Sequence, residues 1–109
     1  MLNTPRILTP LPGPESEKII KRDTGVSSPS LIKEYPLVIK RAEGMFIEDM
    51  DGNTFLDFMA GIAVASTGHC HSEVLNSIQK QSQDLLHICG TDFYYPAYTD
   101  LCKKLQSLS

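Results

Sequence analysis

Three residues with metal-binding or nucleophilic side chains stand side by side in "TGHCHSEV", residues 67–74: His69, Cys70 and His71. Zinc takes three or four ligands, whereas an extended segment offers two, His69 and His71, with Cys70 pointing away from both. A Cys–His nucleophile needs a base set against the sulfur by tertiary structure, and neighbours in an extended chain diverge. The segment is therefore read as a turn. Gly68 lets the chain change direction and deliver a histidine to the start of the next helix, with Ser72 as its N-cap.

"DMDGN" offers a second set of oxygen ligands, Asp49, Asp51 and Asn53, at alternating positions. An EF-hand loop starting at Asp49 requires glycine at its sixth place and glutamate at its twelfth, and those places hold Thr54 and Ala60. The spacing instead suits a tight hairpin turn in which Gly52 takes positive φ. "TGVSSPS" has neither the lysine nor the glycine spacing of a phosphate loop, and no G-x-G-x-x-G occurs. "DFYYPAY" is an aromatic cluster of the kind that builds a core or an interface.

The elements that must position these residues come from 109 residues, 41% of them hydrophobic, which suits one domain with a modest core. Net charge is −3 and the ten Lys and Arg are scattered, so no basic stripe exists to neutralise a row of phosphates, and nucleic acid is not an expected partner. No apolar run approaches the ~20 residues of a membrane span or the length of a signal-peptide core. A cytoplasmic protein without a membrane partner is expected. Cys70, Cys89 and Cys102 are odd in number and lack disulfide or zinc-ribbon spacing, so reduced thiols are expected.

Pro5, Pro10, Pro12 and Pro14 make residues 1–14 an extended arm that either lies on something or is mobile. "ESEKIIKRDTG" reads as a short helix with acidic residues first, basic residues near the end and Gly25 as its stop. In "YPLVIKRAEGMFIEDMDGNTFLDFMAG" three Val-, Ile-, Phe- and Leu-rich runs separated by "AEG" and "DMDGN" predict a three-stranded antiparallel meander. Three short strands bury little and need another surface to pack on. From Ser72 the period changes: Val74, Leu75, Ile78, Leu85 and Leu86 share one stripe, which predicts a helix over 73–87. After Gly90 and Pro96 a last helix turns Tyr98, Leu101, Cys102, Leu105 and Leu108 inward. The fold class is thus α+β: a short N-terminal helix, the meander and two helices.

The run "YPLVIKRAEGMFIEDMDGNTFLDFMAGIAVASTGHCHSEVLNSIQKQ" resembles the start of a class III pyridoxal-phosphate aminotransferase, the family of 4-aminobutyrate, ornithine and acetylornithine aminotransferases. The glycine before the second strand, the D-x-D-G-N turn, the F-L-D-F strand and the G-H-x-H helix start fall in the family's order and spacing. "HICGTDFYYPAYTDLCKKL" matches the next family segment. The family usually has proline where Ser72 stands, and both residues serve a helix start.

The resemblance implies the N-terminal part of a fold type I (α/β) enzyme. Residues 1–35 form an arm and short helix, and 36–109 the N-terminal part of the aminotransferase class III domain, truncated before the cofactor lysine. In the family, the Schiff-base lysine, the aspartate that pairs with the pyridine nitrogen and the glycine-rich phosphate turn all lie downstream. None of Lys18, Lys21, Lys33, Lys40, Lys80, Lys103 and Lys104 stands in a matching context, so no catalytic, cofactor-binding or metal residue is expected in this chain. Transamination requires both that lysine and the ring partner, so pyridoxal 5'-phosphate belongs to the complete enzyme and the chain alone is expected to be inactive.

The resemblance places two residues at the substrate: Ile62 of "AGIAV" where the family has a substrate-pocket side chain, and Tyr94 of "DFYY" near a position contacting the substrate end. Apolar packing and an interface role are the plainer readings of the same residues. The implied partners are an amino acid, a 2-oxo acid and a second subunit in a homodimer. An amino-acid racemase on the same scaffold and a stand-alone binding or assembly module are the competing functions.

Overall fold

Short β-rich runs joined by tight turns produce one sheet. In the computed structural model, which describes residues 2–109, β1 (Ile39–Glu43), β2 (Phe46–Asp49) and β3 (Thr54–Leu56) pair antiparallel in the order β1-β2-β3. The expected meander is present. Phe46 faces Leu56 and Ile47 faces Phe55 across β2 and β3, while Arg41 faces Glu48 across β1 and β2. That last pair is ionic, at 2.6 Å, with Lys40 adding a second cation 3.6 Å from the same carboxylate. Such cross-strand pairs help to fix register.

The β2–β3 turn is the hairpin expected from "DMDGN", with Gly52 at φ 84°. Its centre is polar. Asp49 and Asn53 are both fully buried, and Asp49 Oδ1 accepts hydrogen bonds from the Asp51 and Asn53 amides at 2.9 and 2.8 Å. Asn53 Nδ2 donates to Asp49 Oδ2 at 2.6 Å, which closes a ring of bonds inside the turn. A short acidic side chain that bonds the backbone just ahead of it stabilises a turn.

The proline-rich arm lies on the sheet. Arg6 and Thr54 exchange both backbone hydrogen bonds, at 2.9 and 2.8 Å, and Leu8 and Thr9 donate their amides to Asn53 Oδ1. This covers the otherwise open edge of β3.

Helix α1 runs Pro14–Val26, longer than expected: Gly25 lies inside it, and the chain leaves the helix at Ser27, which has extended backbone. The expected basic end is also missing, because Lys21 and Arg22 fall before the last turn. Glycine only weakens a helix interior, by about 1 kcal/mol, and stops nothing unless the next residues need positive φ. The start of α1 is capped from a distance. Asp51 accepts the Glu15 and Ser16 amides at 2.8 and 2.9 Å, while Gly13 offers no side chain of its own. A Cβ on Gly13 would lie 2.3 Å from Asp51 Cγ, so this approach requires glycine.

Two compact units make up the fold, the first ending at Leu75 and the second spanning Asn76–Ser109. Helix α3 covers Ser72–Asp84 and α4 covers Pro96–Gln106. The expected 73–87 helix therefore ends three residues early, leaving Leu85 and Leu86 beyond it. Ser72 is its first helical residue rather than its cap, since the Leu75 amide already bonds the His71 carbonyl. The inward stripe expected on α4 is exposed throughout: Tyr98, Leu101, Cys102, Leu105 and Leu108 all face solvent. Among the described residues no hydrophobic side chain is fully buried.

Candidate functional site

Between β3 and α3 the chain does something sequence periodicity did not foretell. Ala60, Gly61, Ile62 and Ala63 have φ of 47°, 61°, 60° and 64°, so the single turn α2 (Ala60–Ala63) is wound left-handed. Only glycine visits this region freely; other L-residues incur about 1–2 kcal/mol each, and a β-branched residue such as Ile62 is an outlier there. A turn of this kind persists only where its surroundings over-determine it.

Asp57 supplies part of that constraint. It follows β3 directly, and its Oδ1 accepts the Met59 and Ala60 amides at 2.8 and 3.0 Å. Its Oδ2 lies 2.6 Å from His69 Nε2. The hydrogen bond from His69 holds the Asp57 carboxyl below the usual carboxylate range; burial opposes this and the two backbone amides reinforce it. His69 is itself anchored through its backbone, exchanging both hydrogen bonds with Gly44 in the β1–β2 connection, at 2.9 and 2.8 Å. Gly44 has φ 58° and Gly68 has φ 93°, and a Cβ on Gly68 would meet the Gly44 backbone at 3.3 Å. The G-H pair and the A-E-G loop are thus two halves of one docking.

Around this clamp lies a cavity of about 380 Å³ bordered by Gly44, Met45, Asp57, Ala60, Thr67 and His69. A larger, mostly apolar groove of about 790 Å³ runs between α1 and the 27–39 segment, past Ile19, Ile20, Leu31, Tyr35 and Val38.

Ile62 sits within the left-handed turn and is 84% exposed. Tyr94 belongs to the second unit, on the loop before α4, and is fully exposed; its neighbour Tyr95 contacts Tyr98, with ring centroids 5.7 Å apart. Cys70 and His71 are exposed, and all three cysteines are free thiols. Among the described residues, no cluster of three or more His, Cys, Asp or Glu is arranged to hold a metal ion. Asp57 and Gly44 escaped notice as site residues, since the first reads as an ordinary pleat residue and the second as a spacer. The available signal was an aspartate placed two and three residues before backbone amides that have no strand partner.

Residues 28–109 match the family described as aminotransferase class-III. The chain belongs to that family. It is 41% identical over 88 residues, 80% of its length, to the alanine/serine racemase of Pyrococcus horikoshii, and 42% identical over 74 residues, 68% of its length, to the acetylornithine aminotransferase of Methanocaldococcus jannaschii. Those alignments cover 19% and 18% of the two relatives, so the chain spans about a fifth of the length of the curated relatives it matches. Among solved structures, it superposes on Plasmodium falciparum ornithine δ-aminotransferase with TM-score 0.75 at 26% identity, over 85% of this chain and 24% of that one. Elizabethkingia anophelis acetylornithine aminotransferase gives TM-score 0.77 at 25% identity with the same coverage. The α+β elements described above are consistent with the N-terminal part of this aminotransferase fold.

Class-III aminotransferases depend on pyridoxal phosphate. Lys18, Lys33 and Lys40 are paired with Glu15, Asp23 and Glu48, and the remaining lysines sit on exposed surface. Asp57, which borders the smaller cavity, is held by His69, and Asp23, which borders the larger groove, is paired with Lys33.

Proposed function

We propose that the chain is the N-terminal portion, residues 1–35 as arm and helix and 36–109 as enzyme segment, of a pyridoxal-phosphate-dependent transaminase. The complete enzyme moves an amino group from a donor of the 4-aminobutyrate or ornithine type to a 2-oxo acid, as a cytoplasmic homodimer. In this reading Ile62 and Tyr94 contact substrate, and the downstream part supplies the lysine and the phosphate turn. The observation that carries it is the continuous match over residues 28–109 to a family whose members include acetylornithine and 4-aminobutyrate aminotransferases. No helix is long and apolar enough among the described residues to cross a membrane.

A second reading, an amino-acid racemase, is favoured by one observation, the 41% identity to the alanine/serine racemase. Sequencing beyond codon 109 and expressing the complete frame separates the two. Transfer of the amino group from 4-aminobutyrate, ornithine or acetylornithine to 2-oxoglutarate supports the transaminase. Loss of optical purity of L-alanine or L-serine without a 2-oxo acid supports the racemase, and unrelated downstream sequence refutes both. The 109-residue chain by itself is expected to give no stoichiometric lysine adduct when mixed with pyridoxal phosphate and reduced with borohydride.

A further inference from the structure

The left-handed turn α2 and its clamp raise a question that neither the family nor the fold answers: why four residues, three of them not glycine, accept positive φ in succession. The bonds inside the turn are few. Ala63 donates to Met59 O, and Val64 and Ala65 both donate to Ala60 O. External bonds hold both sides: Asp57 Oδ1 takes the two amides that enter the turn, and the same carboxylate reaches His69, which follows the turn and is tied to Gly44. One side chain therefore links the entrance, the exit and, through Gly44, the β1–β2 connection. Reversing the turn to right-handed winding would redirect Ile62, since φ and ψ set the direction of Cα–Cβ relative to the chain.

We propose that Asp57 and His69 are positioning residues that impose the left-handed winding of Ala60–Ala63 and thereby set the direction in which Ile62 is presented to substrate. Alternative roles for the pair fit less well. For an Asp–His relay, the hydroxyl of Ser66 is already donated to the Ala63 carbonyl, and the second imidazole nitrogen of His69 has no hydroxyl or thiol partner among the described residues. The consequence for substrate rests on the reading of Ile62 given above, whereas the winding itself does not.

The test is amide hydrogen exchange read by mass spectrometry on the 109-residue chain, comparing the 58–69 segment with the 46–56 hairpin. Asp57→Ala should speed exchange in 58–69 by about tenfold or more while changing the hairpin less, because it removes the acceptor for two amides and the partner of His69. Ile62→Gly should slow exchange in 58–69 by roughly fivefold after correction for intrinsic rates, since glycine carries no penalty at φ 60°. The double variant should recover part of the protection lost in Asp57→Ala. Faster exchange in Ile62→Gly, equal loss across both segments in Asp57→Ala, or no protection of 58–69 in the parent chain overturns the proposal. Because the readout is the turn and not turnover, its failure is distinct from failure of the transaminase assay.

Discussion

The meander with its arm and α1 is held by polar groups, whereas α3 and α4 carry apolar stripes that are left uncovered. In the first region Asp49, Asn53, Asp51 and Asp57 each satisfy two backbone amides, those of Asn53 and Asp51 lying more than thirty positions away along the chain. In the second, Val74, Ile78, Leu101 and Leu105 are about half exposed. The difference teaches where each kind of stability comes from. A hydrogen-bonded turn is complete once its few partners meet, while an amphipathic helix draws most of its stability from the surface its apolar face packs on. The first region carries its own partners, and the second requires others.

The largest expected effect concerns that requirement. Each large apolar side chain moved from water into a contact contributes about 1.5–3 kcal/mol, so the stripes of α3 and α4 together represent a driving force comparable to the stability of a small domain. The chain alone is expected to self-associate, and Leu101→Glu with Leu105→Glu is expected to reduce association strongly. Light scattering across a concentration series checks this. A monodisperse monomer of about 12 kDa with well-protected α3 amides would break the comparison.

Next in size is Asn53→Ala. It removes the acceptor for Leu8 and Thr9 and the donor to a fully buried Asp49, leaving a carboxylate short of a partner. A destabilisation of about 3 kcal/mol is expected, with the arm released from β3. Exchange at the Arg6, Leu8 and Thr9 amides reports it. Gly13→Ala comes third: its Cβ displaces Asp51, and the Glu15 and Ser16 amides should exchange roughly five to ten times faster as the cap is lost.

The smallest effect is the pH response of the clamp. Asp57 is more acidic in the folded state than in the unfolded chain, so its ionised form stabilises the fold and that contribution is fully present above the unfolded carboxylate pKa of about 3.9. It is lost as pH falls through the depressed folded value. Protection of the 58–69 segment should therefore be level from neutrality down to about pH 4 and decline below it. Asp57→Asn should remove that decline. An unchanged acid limb would show that Asp57 does not couple to the turn.

Several features could be read without coordinates because they depend on neighbours along the chain. The three strands follow from β-branched and aromatic runs, the hairpin from Asp51-Gly52, and the beginning of α3 from the change of period. Family membership was legible too, in the order and spacing of the D-x-D-G-N turn, the F-L-D-F strand and the G-H-x-H segment. Periodicity also placed apolar stripes on α3 and α4, but it could not state what covers them, because burial depends on groups outside the helix.

Only the tertiary structure decided which polar residue serves which backbone. Asp51 caps a helix that begins thirty-seven positions earlier, adding a long-range acceptor to the acidic first turn that Glu15 and Glu17 supply locally. Gly13 is required by the approach of that same carboxylate, and Gly68 by the approach of Gly44. The left-handed winding of Ala60–Ala63 was out of reach for the same reason. Local propensity disfavours it at Ala and Ile, and part of what holds it is the meeting of Asp57 and His69, twelve residues apart, across it. Sequence pattern determines which faces and turns a chain can form; the cost of a disfavoured backbone, and the contacts that offset it, exist only once distant residues are brought together.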